Sequence, residues 1–285
     1  TEVKGGLFFM PDEKGNSCKV EGEVRFHGAQ IDGTVSFKSV SFGNRVAFDG
    51  AEIKGNLSFG RDKEGRLCEV KGETRFLGTH IIGQASFIGV SFKDVSFDGT
   101  EVKGGLFFMP DEKGNSCKVE GEARFLCAQI GGQANFVGVS FNNAYFIASN
   151  IDEAIFNGVD IKDIFFDVAT IRGRLFFRPD DRGNPCKIKG KARFYGTHIG
   201  REVNFRRVEI VSEEDCIFDH AHIGGPANFE GVSFANGVVF DGTEISGHLF
   251  FGPAGDGKPC KVGGEVRLLG ARISGQANFL MVKFA

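Results

Sequence analysis

Two histidines and a glutamate have the residue types and the spacing that a metal-binding site requires. His198, His222 and Glu244 each stand directly before an isoleucine. Imidazole nitrogens and carboxylate oxygens are both ligands for transition metals such as zinc and nickel. On neighbouring strands of one parallel sheet, about 4.8 Å apart, these three side chains could converge on a single ion.

The equivalent positions elsewhere in the chain favour a simpler role for these three residues. They carry mostly polar side chains without a metal-binding pattern: Glu2, Gln30, Glu52, His80, Glu101, Gln129, Asn150 and Thr170. Such a row is typical of a hydrogen-bonding ladder on the outer face of a sheet. We therefore expect His198, His222 and Glu244 to face solvent without a metal, and we expect the protein to use no cofactor.

Two rows of charged residues could bind charged partners. Five arginines would form a phosphate-binding strip if they were unpaired: Arg25, Arg75, Arg124, Arg193 and Arg267. Glutamates stand two residues before four of them, on the same strand face, so we expect local pairing to neutralise most of the row. Five aspartates form a sparse acidic row: Asp49, Asp98, Asp167, Asp219 and Asp241. Because the net charge is only -3, we do not expect nucleic acid as a partner.

The seven cysteines do not form a zinc or redox motif, because no CxxC pair occurs. Five of them occupy one equivalent position straight after a short polar run: Cys18, Cys68, Cys117, Cys186 and Cys260. We expect these five to be two or three coils apart, about 10 Å or more, which is beyond the reach of a disulfide. They are expected to be buried free thiols, which favours a reducing compartment and a cytoplasmic location.

All of these residues are placed by an internal repeat that runs through the whole chain. An apolar residue recurs after five or six residues, or after eleven where extra residues return, and the recurrences sort into sets of four. The first member is isoleucine or valine and the second is phenylalanine, as in Val3 and Phe9 or Ile31 and Phe37. The position two residues earlier is also uncharged, which is the alternation of a β-strand with two inward side chains. The pattern predicts an all-β solenoid of four-sided coils, about twelve in number.

Several stretches resemble the A(D/N)(L/F)xx unit of pentapeptide repeat proteins: Ala134-Asn135-Phe136-Val137-Gly138, Ala227-Asn228-Phe229-Glu230-Gly231 and Ala277-Asn278-Phe279-Leu280-Met281. The resemblance extends over essentially all 285 residues. It implies a right-handed quadrilateral β-helix with four pentapeptides in each coil. Six-residue steps, such as the one from Ile31 to Phe37, depart from this unit, and we expect the extra residue to widen a corner of the coil.

The domain prediction is a single solenoid over residues 1–285. Solenoids grow by adding coils, so this length does not require a second domain. The chain begins and ends inside repeats, and we expect it to be a fragment of a longer protein. No stretch approaches the about 18 apolar residues that a membrane-spanning helix needs, so no membrane span is predicted.

Eleven-residue steps place five polar excursions at one corner, between the second and third sides of the coil. Turn residues such as Asp and Gly within these short runs predict hairpins, at residues 10–17, 60–67, 109–116, 178–185 and 252–259. Four outward phenylalanines stand before them, and we expect each hairpin to fold over its phenylalanine. If the hairpins stand away, the row becomes an apolar contact stripe. The candidate partner surface consists of Phe8, Phe107, Phe176, Phe250, Asp12, Asp111 and Asp180.

The functional prediction is a non-enzymatic, rigid scaffold that binds a protein partner. A solenoid interior filled with side chains leaves no substrate cavity, and no set of nucleophile, base and orienting residue is visible outside it. The family resemblance implies an alternative, because some pentapeptide repeat proteins are similar to duplex DNA in shape and charge and bind DNA gyrase. Such a mimic should present dense negative charge, comparable to one phosphate per about 1.7 Å of duplex.

Overall fold

The computed structural model describes residues 1–62 and 64–284, and within them all regular secondary structure is β-strand. The chain divides into two compact units, Thr1–Asn142 and Asn143–Ala285. Each unit consists of short parallel strands joined by tight corners. The composition explains why the chain forms strands and tight corners. Phenylalanine, valine and isoleucine at alternate positions favour strands, and the 42 glycines favour turns.

The strands of the first unit run mostly for two to four residues, and the longest for seven. They are Glu2–Val3, Leu7–Phe9, Cys18–Val20, Val24–Arg25, Gln30–Ile31, Val35–Lys38, Val40–Phe42, Val46–Ala47, Glu52–Ile53, Leu57–Gly60, Glu69–Arg75, His80–Ile81, Ala85–Ile88, Ser91–Ser96, Glu101–Val102, Leu106–Met109, Lys118–Arg124 and Gln129–Asn135. The strand Ser140–Tyr145 contains the boundary between the units.

The second unit is built from the same kind of element. Its strands are Asn150–Ile155, Asp160–Phe165, Thr170–Ile171, Leu175–Phe176, Lys187–Ile188, Ala192–Arg193, His198–Ile199, Val203–Asn204, Glu209–Ile210, Cys216–Ile217, His222–Ile223, Ala227–Asn228, Ser233–Phe234, Val238–Val239, Glu244–Ile245, Leu249–Phe250, Lys261–Val262, Val266–Arg267, Arg272–Ile273, Ala277–Asn278 and Lys283–Phe284.

The strand register matches the fourfold sorting of the sequence. On the first side Val3 pairs with Ile31, and on the second side Phe9 pairs with Phe37. Val20 pairs with Phe42 on the third side. The same parallel register continues in the second unit, where Ile199 pairs with Ile223 and then Ile223 with Ile245. The predicted fold class is confirmed: each unit forms a right-handed quadrilateral β-helix.

Two aromatic ladders fill the interior of the first unit. The ring of Phe87 on the second side stacks on Phe59 at 5.4 Å and on Phe108 at 4.6 Å. On the fourth side Phe97 stacks on Phe76 at 4.6 Å. The two ladders meet edge to face, with 5.7 Å between the ring centroids of Phe87 and Phe97. Edge-to-face contact is the favoured arrangement for aromatic rings and locks the two sides together.

Glycines occupy the corners that carry an extra residue. A Cβ on Gly55 would lie 2.6 Å from the backbone of Gly33 on the preceding coil, and one on Gly83 would lie 2.6 Å from the carbonyl oxygen of Gly55. Only glycine allows backbones to approach this closely. The six-residue steps are thus accommodated at the corners, and the strands on either side stay in register.

Candidate interaction surface

The polar excursions fold as tight hairpins. In the first, the N–H of Asp12 donates to the carbonyl of Asn16 at 3.1 Å, and the N–H of Gly15 donates to the carbonyl of Asp12 at 2.8 Å. Gly15 has a φ of 80°, in the left-handed region where glycine carries no steric penalty. The same two backbone bonds close residues 111–115, 180–184 and 254–258. The excursion at 60–67 includes Lys63, which lies outside the described residues.

The carboxylates of Asp12, Asp111 and Asp180 bind their own hairpins. Asp111 accepts the backbone N–H of Asn115 at 2.8 Å on one oxygen and its side-chain amide at 2.7 Å on the other. Equivalent pairs of bonds join Asp12 to Asn16 and Asp180 to Asn184. The side-chain bond from Asn16 lowers the pKa of Asp12. These carboxylates therefore hold the loops, and the two residues after each aspartate form the exposed tip.

Contacts between the second and third hairpins tie them together. Arg61 Nε lies 2.9 Å from Oδ2 of Asp111, and Lys113 Nζ donates to the carbonyl of Glu64 at 3.2 Å. Burial alone would raise the pKa of Asp111, but the hydrogen bonds from Asn115 and the charge of Arg61 together lower it. The ion pair is well shielded, because the side chain of Asp111 is only 9% exposed.

The second hairpin also contacts the first. Arg66 pairs with Asp62 of its own loop at 2.5 Å. Its guanidinium lies against Gly15, where an added Cβ would be 2.6 Å from a terminal nitrogen. Between the second and third hairpins, Arg61 donates to the carbonyl of Gly89, at the corner of a coil that has no hairpin. Residues 10–17, 60–62, 64–67 and 109–116 thus form a continuous layer, here called the hairpin row.

The two hairpins of the second unit are held by different contacts. The hairpin at 178–185 lies against Gly158, where a Cβ would be 2.7 Å from the Cβ of Asp180. The hairpin at 252–259 is held by two ion pairs, Arg207 with Asp256 at 3.0 Å and Lys258 with Glu209 at 3.7 Å. Each loop is therefore fixed on its unit by neighbouring coils.

The outward phenylalanines of the first unit lie on their own strand and not beneath the hairpins. An added Cβ on Gly6 would be 2.5 Å from the ring of Phe8, and one on Gly105 would be 2.5 Å from the ring of Phe107. Each ring therefore lies across the glycine two residues earlier, on the same strand face. Phe8 remains 58% exposed. The expectation that each hairpin covers its phenylalanine is wrong for Phe8, because the ring folds back along the strand.

Phenylalanines of the second unit pack in the same direction on larger residues. The guanidinium of Arg174 lies 5.0 Å from the ring centroid of Phe176, and that of Arg178 lies 4.3 Å from it. These two arginines leave Phe176 only 6% exposed. The ring of Phe250 lies 5.4 Å from that of His248, again two residues earlier. The four phenylalanines share a position, but they do not form a uniform exposed stripe.

The arginine row pairs differently from the prediction. Only Arg25 pairs with the glutamate two residues earlier, Glu23. The other four each pair with the acidic-row residue that precedes them by 26 positions: Arg75 with Asp49, Arg124 with Asp98, Arg193 with Asp167 and Arg267 with Asp241. The predicted local pairing is wrong for Arg75, Arg124 and Arg267; none was predicted for Arg193, which has no glutamate two residues earlier. The next coil lies about 4.8 Å away, whereas a residue two positions along the strand lies about 6.6 Å away.

The acidic row fastens successive coils to each other. Asp49 accepts the N–H of Leu77 at 3.2 Å, and Asp241 accepts that of Leu269 at 2.9 Å. The side chains of the four arginine-paired aspartates are between 9% and 20% exposed. These four aspartates therefore present little free negative charge.

Sequence models of a known repeat match two segments of the chain. Models of pentapeptide repeats match residues 16–61 and residues 132–163. The first segment lies in the first unit, and the second spans the boundary at Asn142 and Asn143. Both segments are pentapeptide repeats. No curated protein matches the chain in sequence.

The chain is also similar to two solved structures. One is HetL, a pentapeptide repeat protein involved in heterocyst differentiation regulation from the cyanobacterium Nostoc sp. strain PCC 7120, with 8% identity and a TM-score of 0.26. That match covers 92% of this chain and 90% of HetL. The other is QnrB1, a plasmid-mediated fluoroquinolone resistance protein, with 15% identity, a TM-score of 0.19 and coverage of 98% and 94%.

The histidine positions of the chain form a polar ladder. The rings of His198 and His222 stack in parallel with centroids 4.9 Å apart. Nδ1 of His222 lies 3.1 Å from one oxygen of Glu244, and Arg272 donates to the other at 2.8 Å. Among residues 1–62 and 64–284, no group of three or more His, Cys, Asp or Glu side chains could hold a metal ion.

All seven cysteines of the chain are free thiols. Of the five that follow hairpins, four are buried and Cys18 is half-buried, while Cys127 is exposed. The Sγ–H of Cys117 donates to the carbonyl of Phe87 at 3.0 Å. Burial raises the pKa of Cys117 to about 11 and that of Cys68 to about 12.

A shallow depression of about 330 Å³ on the first unit is lined by carboxylates, but they serve structural contacts. Asp94 accepts the N–H of Glu122 at 2.8 Å, and Glu73 binds Arg45 at 2.9 Å. Within the part of the chain that the structure describes, no helix is long and apolar enough to span a membrane.

Proposed function

We propose that this protein is a non-enzymatic, rigid scaffold that binds a protein partner through the hairpin row of its first unit. The observation that carries the proposal is the interlocking of the three hairpins. Arg66 of the second hairpin lies against Gly15 of the first. Arg61 of the second hairpin pairs with Asp111 of the third. Loops that are already ordered lose little conformational entropy when a partner binds, so more of the contact energy contributes to affinity.

The hairpin row presents the same loop twice. Residues 1–23 and 100–122 are identical, so the hairpins at 10–17 and 109–116 have the same sequence. Their tips, Glu13 with Lys14 and Glu112 with Lys113, are exposed. The two loops are four coils apart, which corresponds to about 19 Å. A partner that engages both loops gains affinity by avidity without any new type of contact.

The filled interior supports a non-enzymatic role. Core rings such as Phe37, Phe59 and Phe87 are at most 1% exposed, so the coil offers no internal cavity at these layers. Seven unpaired cysteines support a reducing compartment, and we place the scaffold in the cytoplasm on that basis.

Shortening the hairpins tests the proposal. Each of the segments 10–17 and 109–116 is replaced by Ile-Gly, the two residues that form the plain corner at Ile88 and Gly89. The matched control makes the same replacement at 252–259 in the second unit. Partners captured from a lysate are quantified by mass spectrometry. We expect a partner that binds the wild type and the control but is lost from the double replacement, and equal capture by all three proteins would contradict the proposal.

A supercoiling assay separates the scaffold from the DNA-mimic alternative. The purified chain should leave DNA gyrase active, because four of the five aspartates in the acidic row are paired with arginines. Inhibition that disappears when Asp49, Asp98, Asp219 and Asp241 are changed to Asn would favour the alternative.

A further inference from the structure

The second side of the first unit differs from the other three sides in charge. Its first five strands are Leu7–Phe9, Val35–Lys38, Leu57–Gly60, Ala85–Ile88 and Leu106–Met109, and the strand Gln129–Asn135 pairs with the last of them. Lys38 is the one charged residue in these five strands, although the first unit as a whole contains many acidic and basic side chains. We call the outward face of these strands the neutral strip.

Two aromatic rings lie flat on the neutral strip. Phe8 and Phe107 fold across Gly6 and Gly105, which have no side chain to lift the rings off the sheet. Phe8 is 58% exposed and Phe107 is half-buried. They belong to coils one and five, so their rings are about 19 Å apart along the strip.

Uncharged hydrogen-bonding groups occupy the layers between the two rings. Asn56 and Gln84 are exposed, and Ser58 and Ser86 are half-buried. Primary amides and hydroxyls can each donate and accept hydrogen bonds. The strip therefore combines aromatic faces at its ends with neutral polar groups in its middle.

The dimensions and the charge of the strip limit what it can bind. Strands of three to four residues make it about 10–13 Å wide, so its area between the rings is roughly 200–250 Å². A stable protein interface needs about 800 Å² from each partner, which excludes a second copy of the chain as the occupant. Nucleic acids bind through phosphate contacts with several basic residues, and the strip offers only Lys38.

We propose that the neutral strip binds an extended, uncharged polysaccharide of the β-1,4-linked glucan type. Sugar rings in such a ribbon are flat and present C–H bonds on their faces, which pack against the electron-rich faces of Phe8 and Phe107. Their hydroxyls lie along the ribbon edges, within reach of Asn56 and Gln84. This proposal does not depend on the hairpin row, because the strip lies on the flat side of the coil.

Affinity electrophoresis tests the proposal with named polymers. The purified chain is run through native gels that contain hydroxyethyl cellulose, with amylose as a coiled glucan and polygalacturonate as a charged ribbon for comparison. We expect retardation by hydroxyethyl cellulose alone. The variant Phe8→Ala/Phe107→Ala should bind about tenfold more weakly, since each stacking contact contributes on the order of 0.5–1.5 kcal/mol. The control Leu77→Ala/Ile82→Ala removes two residues that are each 43% exposed on other sides and should migrate as wild type.

A second variant keeps the test valid if the double variant does not fold. Gly105→Ala retains Phe107 but places a methyl group 2.5 Å from the present position of the Phe107 ring. The ring must therefore tilt away from the sheet. We expect it to reduce retardation while the thermal midpoint stays near that of wild type. No retardation by hydroxyethyl cellulose, equal retardation by amylose, or wild-type retardation of the folded variants would each overturn the proposal.

Discussion

Arg124 places Nη2 2.8 Å from Oδ2 of Asp98 on the preceding coil, while Oδ1 of Asp98 accepts the N–H of Leu126 at 3.0 Å. One carboxylate thus binds both the side chain and the backbone of the next coil. Asp219, in the same acidic row, accepts only a backbone N–H, that of Asp241 at 3.2 Å. The row therefore contains aspartates with and without an arginine, which provides a matched comparison.

We expect Asp98→Ala to destabilise the chain by about 1–2 kcal/mol, because it removes a backbone hydrogen bond together with a partly shielded ion pair. Asp219→Ala should cost less, since no arginine pairs with that carboxylate. Urea unfolding of the two variants beside wild type measures the difference. Equal losses in the two variants would show that the arginine contributes nothing measurable.

The aromatic ladder predicts a large loss from a single core truncation. Phe87 has no exposed surface and stacks on both Phe59 and Phe108. Phe87→Ala should cost about 3–5 kcal/mol, because it removes buried area and leaves a cavity. Phe8→Ala, at an exposed ring, should change the unfolding free energy by less than about 0.5 kcal/mol. Similar unfolding midpoints for the two variants would mean that the register described for the second side is incorrect.

The hairpin aspartates predict a pH-dependent contribution to stability. The pKa of Asp111 is lowered in the folded chain, so its ionised form stabilises the hairpin. This contribution is fully present above the unfolded pKa, about 3.9, and is lost as the pH falls through the lower folded pKa. The gap in unfolding free energy between wild type and Asp111→Asn should therefore narrow on acidification. Glu112→Gln, at the exposed tip of the same loop, is the control for a surface substitution and should unfold with nearly the free energy of wild type.

Thiol labelling of the native chain should discriminate among the cysteines. The thiolate is the reactive form, and burial raises the pKa of Cys117 to about 11 and that of Cys260 to about 12. Cys127 is exposed and should react first with an aromatic disulfide reagent at mildly alkaline pH. Cys127→Ser should remove the fast phase, and urea should release the buried thiols. Rapid labelling of Cys117 in the native chain would contradict the inward orientation of the post-hairpin cysteines.

The coil architecture was predictable because the residues that determine it repeat. Phe59, Phe87 and Phe108 recur at one position of the fourfold pattern and stack as the sorting predicts. Hairpin positions were equally readable, since an aspartate and a glycine recur at fixed offsets in four of the five loops. The periodic pattern predicts the fold because each coil contacts only its neighbours. The same inward and outward positions therefore recur in every coil.

Contacts between outward side chains were less predictable. Arg124 had two carboxylates within reach, Glu122 on its own strand and Asp98 on the next coil, and strand alternation alone favoured the wrong one. The constant interval of 26 residues between paired Asp and Arg is a signal that could have identified the correct partner. The orientation of the Phe8 ring depends on the glycine two residues earlier. The repeat pattern describes only the inward positions and therefore does not predict this orientation.

Site-specific photo-crosslinking tests the central claim, that partners bind the hairpin row. A photoreactive amino acid is placed at Glu112, on the tip of the third hairpin, or at Lys103, which is exposed on the first side of the same coil. We expect a discrete crosslinked partner from position 112 that is absent from position 103. Replacing residues 10–17 by Ile-Gly should weaken that crosslink through the loss of avidity. Crosslinking from position 103 with none from position 112 would contradict the proposed binding surface.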